Sequence, residues 1–276
     1  MAADWPSIPW VFLRHPNPRA AVASRSGAEY IVPVNLRRKE ACVAQELLLE
    51  ITVESLDSAL AAERGGADRI ELCAELVRGG LTPSVAAMRK LHEELEIPVF
   101  PIIRPRAGDF VYTDSEFAIM KRDISVVRDL GMDGVVLGIL RADCSVDVER
   151  TRELVQWARP LEVTFHRAFD STPDLLLALE DVIATGATRI LTAGGATGAP
   201  QGAEVLRKLV NAARHRIVIM PGGGLDAANI AKIVADTKAR EFHSGLGSVL
   251  PYGSSNLLRF ETEIHAMKRH LKGKIS

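Results

Sequence analysis

The sequence predicts one α/β domain in which eight parallel strands close into a (β/α)₈ barrel of the TIM type, preceded by an irregular N-terminal extension. From Leu47 onward, short β-branched or apolar runs alternate with longer segments of helical period, a pattern typical of parallel β/α units. The alternation occurs eight times, and 276 residues suit a single barrel. An open doubly wound sheet is the alternative, but such sheets usually carry a glycine fingerprint after the first strand, which residues 49–55 lack.

Each predicted strand is a short run bounded by turn residues. The strands are Leu47–Val53, Arg69–Cys73, Val99–Arg104, Gly134–Gly138, Leu161–His166, Arg189–Thr192, Ile217–Pro221 and Glu241–His243. Helices are predicted over about 55–65, 83–95, 115–131, 147–158, 173–185, 201–214, 226–238 and 256–270. Ser55 and the Thr-Pro pairs at 82–83 and 172–173 are helix start signals, and glycines at 66, 131 and 186 are stop signals.

The first 46 residues show no sustained period and hold five of the fourteen prolines and two of the three tryptophans. We therefore predict an irregular or disordered extension over 1–46 and a barrel domain over 47–276. The first 30 residues contain only two acidic side chains, Asp4 and Glu29, beside three arginines. That composition also suits a targeting segment, so this alternative stays open.

The composition of the chain limits its expected binding partners and cellular location. The formal net charge is −1 and there is no dense Lys/Arg run, so neither a nucleic acid nor a membrane surface is expected as a partner. No apolar run approaches the roughly 18 residues of a membrane span. The three cysteines, Cys42, Cys73 and Cys144, are far apart and form no C-x-x-C pair, which favours a reducing, cytoplasmic location.

Strand alternation predicts which polar side chains point into the barrel. Since Leu49, Ile51 and Val53 form the apolar set of strand 1, Glu50 and Thr52 should face inward. The same alternation predicts that seven further side chains face the barrel interior: Glu71, Cys73, Arg104, His166, Thr192, Met220 and His243. Buried carboxylates need partners, so we expect the two glutamates to meet arginine, histidine or each other. A salt-bridge network that only closes the barrel is the structural alternative.

The loops after the last strands are rich in glycine. Gly222, Gly223 and Gly224 follow strand 7 and open a helix, and Gly245 and Gly247 follow strand 8. TIM barrels often bind phosphate at this place, where backbone N–H groups are free. The alternative to phosphate binding is that these glycines serve only the turn from strand to helix.

Three absences narrow the possible chemistry. None of the nine lysines falls at a strand end, which disfavours Schiff-base chemistry. Strand 1 lacks the His-x-His pair that multi-histidine metallohydrolase barrels carry, which disfavours that class of enzyme. No G-x-S-x-G elbow occurs, which disfavours serine hydrolysis.

Four strings carry a resemblance to a known family. ERGGADRIELC at 63–73, GGLTPS at 79–84, PIIRPRAGDF at 101–110 and VTFHRAFD at 163–170 resemble the CutC copper-homeostasis family. The similarity runs from about Leu47 to His243 and beyond. The resemblance implies a TIM-type barrel linked to copper homeostasis, cytosolic and usually a homo-oligomer, whose enzymatic activity is unsettled.

The resemblance also implies a place for copper. The family's copper proposal rests on cysteines at the ends of strands 1 and 2, and Cys73 matches the second of them. Thr52 stands at the first position, and Ser244 stands where some members have cysteine. Cuprous ion prefers thiolate and thioether donors, so these departures weaken the copper expectation.

Two functions therefore stay open. One is a copper-binding homeostasis protein with Cys73 as the metal ligand. The other is an enzyme that acts by acid–base chemistry on a small anionic or phosphorylated metabolite. Its predicted catalytic residues are Glu50, Glu71, His166 and Asp170, and its predicted substrate- or anion-binding residues are Arg104, Arg106, Thr192, Gly222, Gly223, Gly224 and His243.

Overall fold

The computed structural model describes residues 46–272, and all eight predicted β/α units occur within that range; the predicted extension lies outside it, apart from Glu46. The strands are β1 (Leu48–Val53), β2 (Arg69–Leu72), β3 (Val99–Pro101), β4 (Gly134–Leu137), β5 (Glu162–Phe165), β6 (Arg189–Thr192), β7 (Val218–Pro221) and β8 (Glu241–Ser244). The helices are α1 (Leu56–Arg64), α2 (Val85–Glu94), α3 (Asp114–Asp129), α4 (Val148–Ala158), α5 (Leu175–Thr185), α6 (Ala199–Ala213), α7 (Ile230–Thr237) and α8 (Leu257–Lys272). Two short 3₁₀ helices cover Leu76–Arg78 and Arg167–Ser171.

The strands pair in parallel and close a ring. Hydrogen-bonded order runs β3-β2-β1-β8 in one half and β4-β5-β6-β7 in the other. Isolated parallel bridges from Ile102 to Val136 and from Gly222 to His243 join the halves. The predicted barrel is therefore confirmed, and no helix among residues 46–272 is long and apolar enough to cross a membrane.

The two faces of β1 show how the sequence builds the barrel wall. Leu49, Ile51 and Val53 are at most 2% exposed and belong to the main hydrophobic core. Glu50 and Thr52 point to the barrel interior, where they meet side chains of β2 and β8. The alternation that predicted inward-facing polar groups holds for this strand.

Ser55 starts α1 as predicted, whereas α2 and α5 begin just after their Thr-Pro pairs, with Ser84 and Asp174 as the N-caps. Ser55 caps α1 in a capping box with Ser58, and the Asp174 carboxylate accepts the N–H groups of Leu176 and Leu177 at the start of α5. Gly186 ends α5 with a φ of 85°, a left-handed conformation that favours glycine.

Several boundaries differ from the prediction, and three differences bear on the site. β3 ends at Pro101, so Arg104 lies in the loop beyond the strand rather than on it. β5 ends at Phe165, because the His166 side chain accepts the Ala168 N–H and starts a 3₁₀ helix. α7 begins at Ile230 rather than near 226, since Asp226 holds the preceding turn through the N–H of Ala228.

Candidate functional site

A cavity of about 490 Å³ opens at the C-terminal ends of the strands, the face on which TIM barrels place their chemistry. Seven of the predicted site residues line it: Glu71, Cys73, Arg104, His166, Gly223, Gly224 and His243. Glu50, Arg106, Asp170, Thr192 and Gly222 do not line it. Polar lining residues that the sequence reasoning did not assign to the site are Arg167, Thr197, Ser248 and Tyr252.

Glu50 belongs to an ion-pair network beneath the cavity. Its carboxylate pairs with Arg69 Nε, Arg69 pairs with Glu241 at 2.7 Å, and Glu241 pairs with Arg189 at 2.6 Å. Arg69, Glu241 and Arg189 are the first residues of β2, β8 and β6, so the network lies toward the N-terminal ends of the strands. Burial opposes ionisation of Glu50, but Arg69 and a hydrogen bond from His243 outweigh it and hold the pKa of Glu50 well below its usual range. The contacts of Glu50 therefore fit a structural role in a salt-bridge network better than the role of a general base.

Glu71, Thr52 and His243 form a hydrogen-bonded row on the cavity floor. Thr52 Oγ1 donates to Glu71 Oε2 at 2.7 Å and lies 2.9 Å from His243 Nε2. The hydroxyl has one proton, so His243 Nε2–H must be the donor in this arrangement. On the other side of the ring, Nδ1 lies 2.8 Å from Glu50 Oε1 and donates to that carboxylate. His243 is therefore a doubly protonated imidazolium when Glu71 is ionised.

The two ends of this row compete for one proton. Burial raises the pKa of Glu71, and the Glu50 carboxylate adds to that rise, while His243 opposes it. Burial lowers the pKa of His243, but its hydrogen bond to Glu50 and the charge of Glu71 reverse the effect and raise it. A carboxyl and an imidazole with perturbed pKa values, joined through a hydroxyl, can exchange a proton.

His166 lines the cavity and carries a buried, unpartnered N–H group. Its Nδ1 accepts the Ala168 N–H at 3.2 Å, so the neutral ring carries its proton on Nε2. Nε2 is buried without a hydrogen-bond partner among the described residues. Burial and the charge of Arg104 lower the pKa of His166 to about 3, which keeps the ring neutral. A Cβ on Gly138 would lie 2.5 Å from Nδ1, so glycine at the end of β4 makes room for the imidazole.

The two predicted anion-clamp arginines are occupied elsewhere. Arg104 lines the cavity, but its Nη groups donate to the carbonyls of Gly79, Gly80 and Gly108. Arg106 lies outside the cavity, paired with Asp109 at 2.8 Å and Glu116 at 2.6 Å. Neither guanidinium is arranged as a clamp, because loop carbonyls bind the Nη groups of Arg104, acidic neighbours bind Arg106, and the unpartnered Nε of Arg104 is fully buried.

Asp170 and Thr192 act one layer behind the cavity. Asp170 pairs with Arg167 Nε at 2.8 Å and accepts the N–H groups of Ala193 and Gly195 and the hydroxyl of Thr192. The carboxylate fixes Arg167, which does line the cavity, to the loop after β6. The sequence placed Asp170 in a catalytic role, whereas its contacts are those of a positioning residue.

Some N–H groups of the glycine loop after β7 and of the turn before α7 already make hydrogen bonds within the protein. Gly222 N–H donates to the Thr192 carbonyl, and Asp226 accepts the N–H groups of Ala228 and Asn229 before α7. Gly223 and Gly224, each with a positive φ, line the cavity. The start of α7 therefore offers fewer free N–H groups to an anion than the sequence suggested.

Cys73 is a free, buried thiol in the cavity wall. Burial raises the pKa of Cys73 well above its usual value, and the carboxylate of Glu71 adds to the rise. The thiolate that binds cuprous ion is therefore disfavoured here. Met220, a possible thioether donor, instead accepts a contact from Arg69 below the cavity. Residues 46–272 contain no group of three or more His, Cys, Asp or Glu side chains placed to hold a metal ion.

The fold and site define a TIM-type barrel protein with a cavity, lined by ionisable side chains, at the C-terminal ends of its strands. Residues 47–248 match the model of the CutC family. A human protein described as a copper homeostasis protein cutC homolog is 44% identical over 78% of this chain and 78% of its own length. A family protein CutC from Chromobacterium violaceum is 50% identical over 71% of this chain and 80% of its own. The chain belongs to the CutC family.

Solved structures agree with this assignment. A CutC structure from Streptococcus agalactiae has a TM-score of 0.69 and 34% identity, and the match covers 72% of this chain and 98% of that one. Phosphoribosylanthranilate isomerase from Thermotoga maritima matches with a TM-score of 0.55 at 14% identity, over 82% of this chain and 99% of that one. The second likeness shows the barrel fold alone.

Proposed function

We propose that this chain is an enzyme that transfers protons to and from a small anionic metabolite bound in the cavity. The observation that carries the proposal is the buried, unpartnered Nε2–H of His166, a residue that lines the same cavity as Glu71. A buried donor without an acceptor is destabilising by about 1–3 kcal/mol. Such a group is expected where a ligand supplies the missing acceptor.

The residues have distinct roles in this chemistry. Glu71 is the general base that accepts a proton from the substrate, and neutral His166 donates a hydrogen bond to the oxygen on which charge develops. Glu71 becomes the acid when His243 Nε2 gives its proton to Thr52 Oγ1 while the Thr52 hydroxyl proton passes to Glu71 Oε2. Glu50 keeps the His243 ring oriented through Nδ1.

The charge of the lining favours an anionic substrate. Arg104, Arg167 and protonated His243 face the cavity, against the one carboxyl group of Glu71. A volume of about 490 Å³ is within the range of small-molecule sites.

Solvent exchange tests the proposal without knowledge of the reaction. The full-length protein is incubated in D₂O with pools of small phosphorylated and carboxylated metabolites, and deuterium incorporation is followed by mass spectrometry. We expect one component to gain deuterium or to be converted, and Glu71→Gln to slow this at least about 100-fold. Arg106→Gln, outside the cavity, is the matched control and should keep the wild-type rate.

A second measurement needs no substrate. ¹⁵N NMR of His243 is compared in the wild type, Thr52→Ser and Thr52→Val. The serine variant keeps the hydroxyl and should titrate like the wild type, whereas valine leaves Nε2–H without an acceptor and should lower the pKa of His243. Identical titrations in both variants, together with an undiminished exchange rate in Glu71→Gln, would contradict the proposed chemistry.

Copper binding is the second candidate, because relatives are described as copper homeostasis proteins and Cys73 lines the cavity. The donor set fits cuprous ion poorly, with one protonated thiol and Thr52 in place of the family's other cysteine. Anaerobic titration of Cu(I) against a chelator separates the two functions. Stoichiometric binding that Cys73→Ser abolishes would support the copper function.

A further inference from the structure

Among the described residues that line the cavity, Arg167 combines a solvent-exposed side chain with an unpartnered guanidinium donor. Arg167 lines the cavity with 41% of its side chain exposed, and its Nη1 makes no hydrogen bond within residues 46–272. Its Nη2 has a single long contact, 3.3 Å to the Ala196 carbonyl. Arg104, the other lining arginine, has both Nη groups bound to loop carbonyls and stacks on Phe110. Arg104 Nε is also unpartnered, but it is fully buried, so an anion that enters the cavity finds its accessible free donors on Arg167.

Arg167 is held rigidly in its place. Nε is fixed by Asp170, which is itself fixed by two backbone N–H groups and a hydroxyl of the loop after β6. A Cβ on Gly223 would lie 3.2 Å from Arg167 Nη1, so the guanidinium packs against the bare backbone of this turn. A donor fixed before the ligand arrives loses little conformational freedom on binding.

Further donors line the same cavity. They are the hydroxyl of Thr197 and the backbone of Gly224 and Gly247, whose N–H groups donate to no described residue. The Ser248 hydroxyl also lines the cavity, but it donates its proton to the Asp226 carboxylate at 3.3 Å. Independently, His166, only 5% exposed, lines this cavity and carries an unpartnered Nε2–H.

We propose that Arg167, packed on Gly223 and anchored by Asp170, binds the oxyanion group of the substrate, with Thr197 and the glycine N–H groups completing the subsite. The inference deepens the proposed function, on which it rests for the reacting end of the molecule. It assigns the substrate class as a small metabolite with a phosphate or carboxylate at Arg167 and a second oxygen at His166. Guanidinium binds both groups through paired N–H donors, so the experiment must distinguish the two sources.

Inorganic phosphate is the first probe. Line broadening of its ³¹P signal is followed as the full-length protein is added at constant low ionic strength. We expect binding in the wild type and at least about tenfold weaker binding in Arg167→Gln, the loss expected for a charge-assisted hydrogen bond. Arg167→Lys keeps the charge but not the paired donors and should bind with intermediate strength. Arg122→Gln, at an exposed position on α3, is the control and should bind like the wild type.

Acetate is the second probe, followed by its methyl ¹H signal under the same conditions. Phosphate binding that depends on Arg167 identifies a phosphate subsite, and Arg167-dependent acetate binding alone identifies a carboxylate subsite; either supports the inference. Absence of binding by both probes, or binding that Arg167→Gln leaves unchanged, overturns it. Glu71→Gln should retain probe binding, so a failed exchange assay and a failed anion subsite are distinguishable.

Discussion

The two nitrogens of His166 have different surroundings, and the difference has a consequence for stability. Nδ1 accepts a backbone N–H, and Nε2–H is buried without a partner among the described residues, so a second proton on the ring would disrupt the Ala168 hydrogen bond. The pKa of His166 is lowered to about 3, mainly by burial. Below its ordinary value of 6.5, the unfolded chain takes up a proton that the folded chain refuses.

We therefore expect His166 to reduce the free energy of unfolding as pH falls from about 6.5 to about 3, by up to about 1.4 kcal/mol per pH unit. Urea unfolding of the wild type and His166→Asn at pH 6.5 and 4.5 measures this. The wild type should lose more stability over this interval than the variant. His92→Asn, at an exposed position on α2, is the control and should keep the wild-type pH dependence. Equal losses in the wild type and His166→Asn would show that the ring is not held neutral.

At the scale of elements, α6 packs unusually closely on the loop after β6. A Cβ on Gly202, in the first turns of α6, would lie 1.8 Å from the carbonyl oxygen of Ala193. The same loop carries the N–H groups that hold Asp170 and, through it, Arg167. The close approach of this helix therefore supports the proposed anion subsite from behind.

Gly202→Ala tests this packing by the sign of its effect. In an ordinary helix interior, alanine is more favourable than glycine by about 0.5–1 kcal/mol. Here we expect a loss of about 1–3 kcal/mol in the free energy of unfolding, because the loop or the helix must move away. Urea unfolding at neutral pH measures the change. A stabilised variant would mean that α6 does not press on the loop.

The elements also show what sequence reasoning could and could not reach. The eight units were predictable because the alternation of strand and helical periods is local, and inward-facing Glu71 and His243 followed from it. Arg167 was assigned no role, because a 3₁₀ helix begins directly after His166 and strand alternation no longer applies there. The occupied state of Arg104 was out of reach for another reason, since two of its acceptors, the carbonyls of Gly79 and Gly80, belong to a separate loop that only the fold brings beside it.

At the scale of the whole molecule, the interior of the barrel has two charged layers with different tasks. The lower layer joins β1, β2, β6 and β8 through Glu50, Arg69, Glu241 and Arg189, and it closes the strand ring from inside. The upper layer faces the cavity and contains Glu71, Thr52 and His243. Glu50 belongs to both layers, because it pairs with Arg69 below and with His243 above. The fold and the cavity chemistry are therefore coupled through one carboxylate.

Arg69→Met separates the effect of the charge from that of the side-chain volume. It leaves Glu50 ionised and buried with only His243 beside it, and breaking one partner of a buried pair typically destabilises by about 3–5 kcal/mol. In Arg69→Met/Glu50→Gln the unpaired charge is absent, so the double variant should be more stable than the single one. Urea unfolding at pH 7 gives both values. A double variant no more stable than Arg69→Met would show that Glu50 is not held as an anion by Arg69, and the two layers would then be independent.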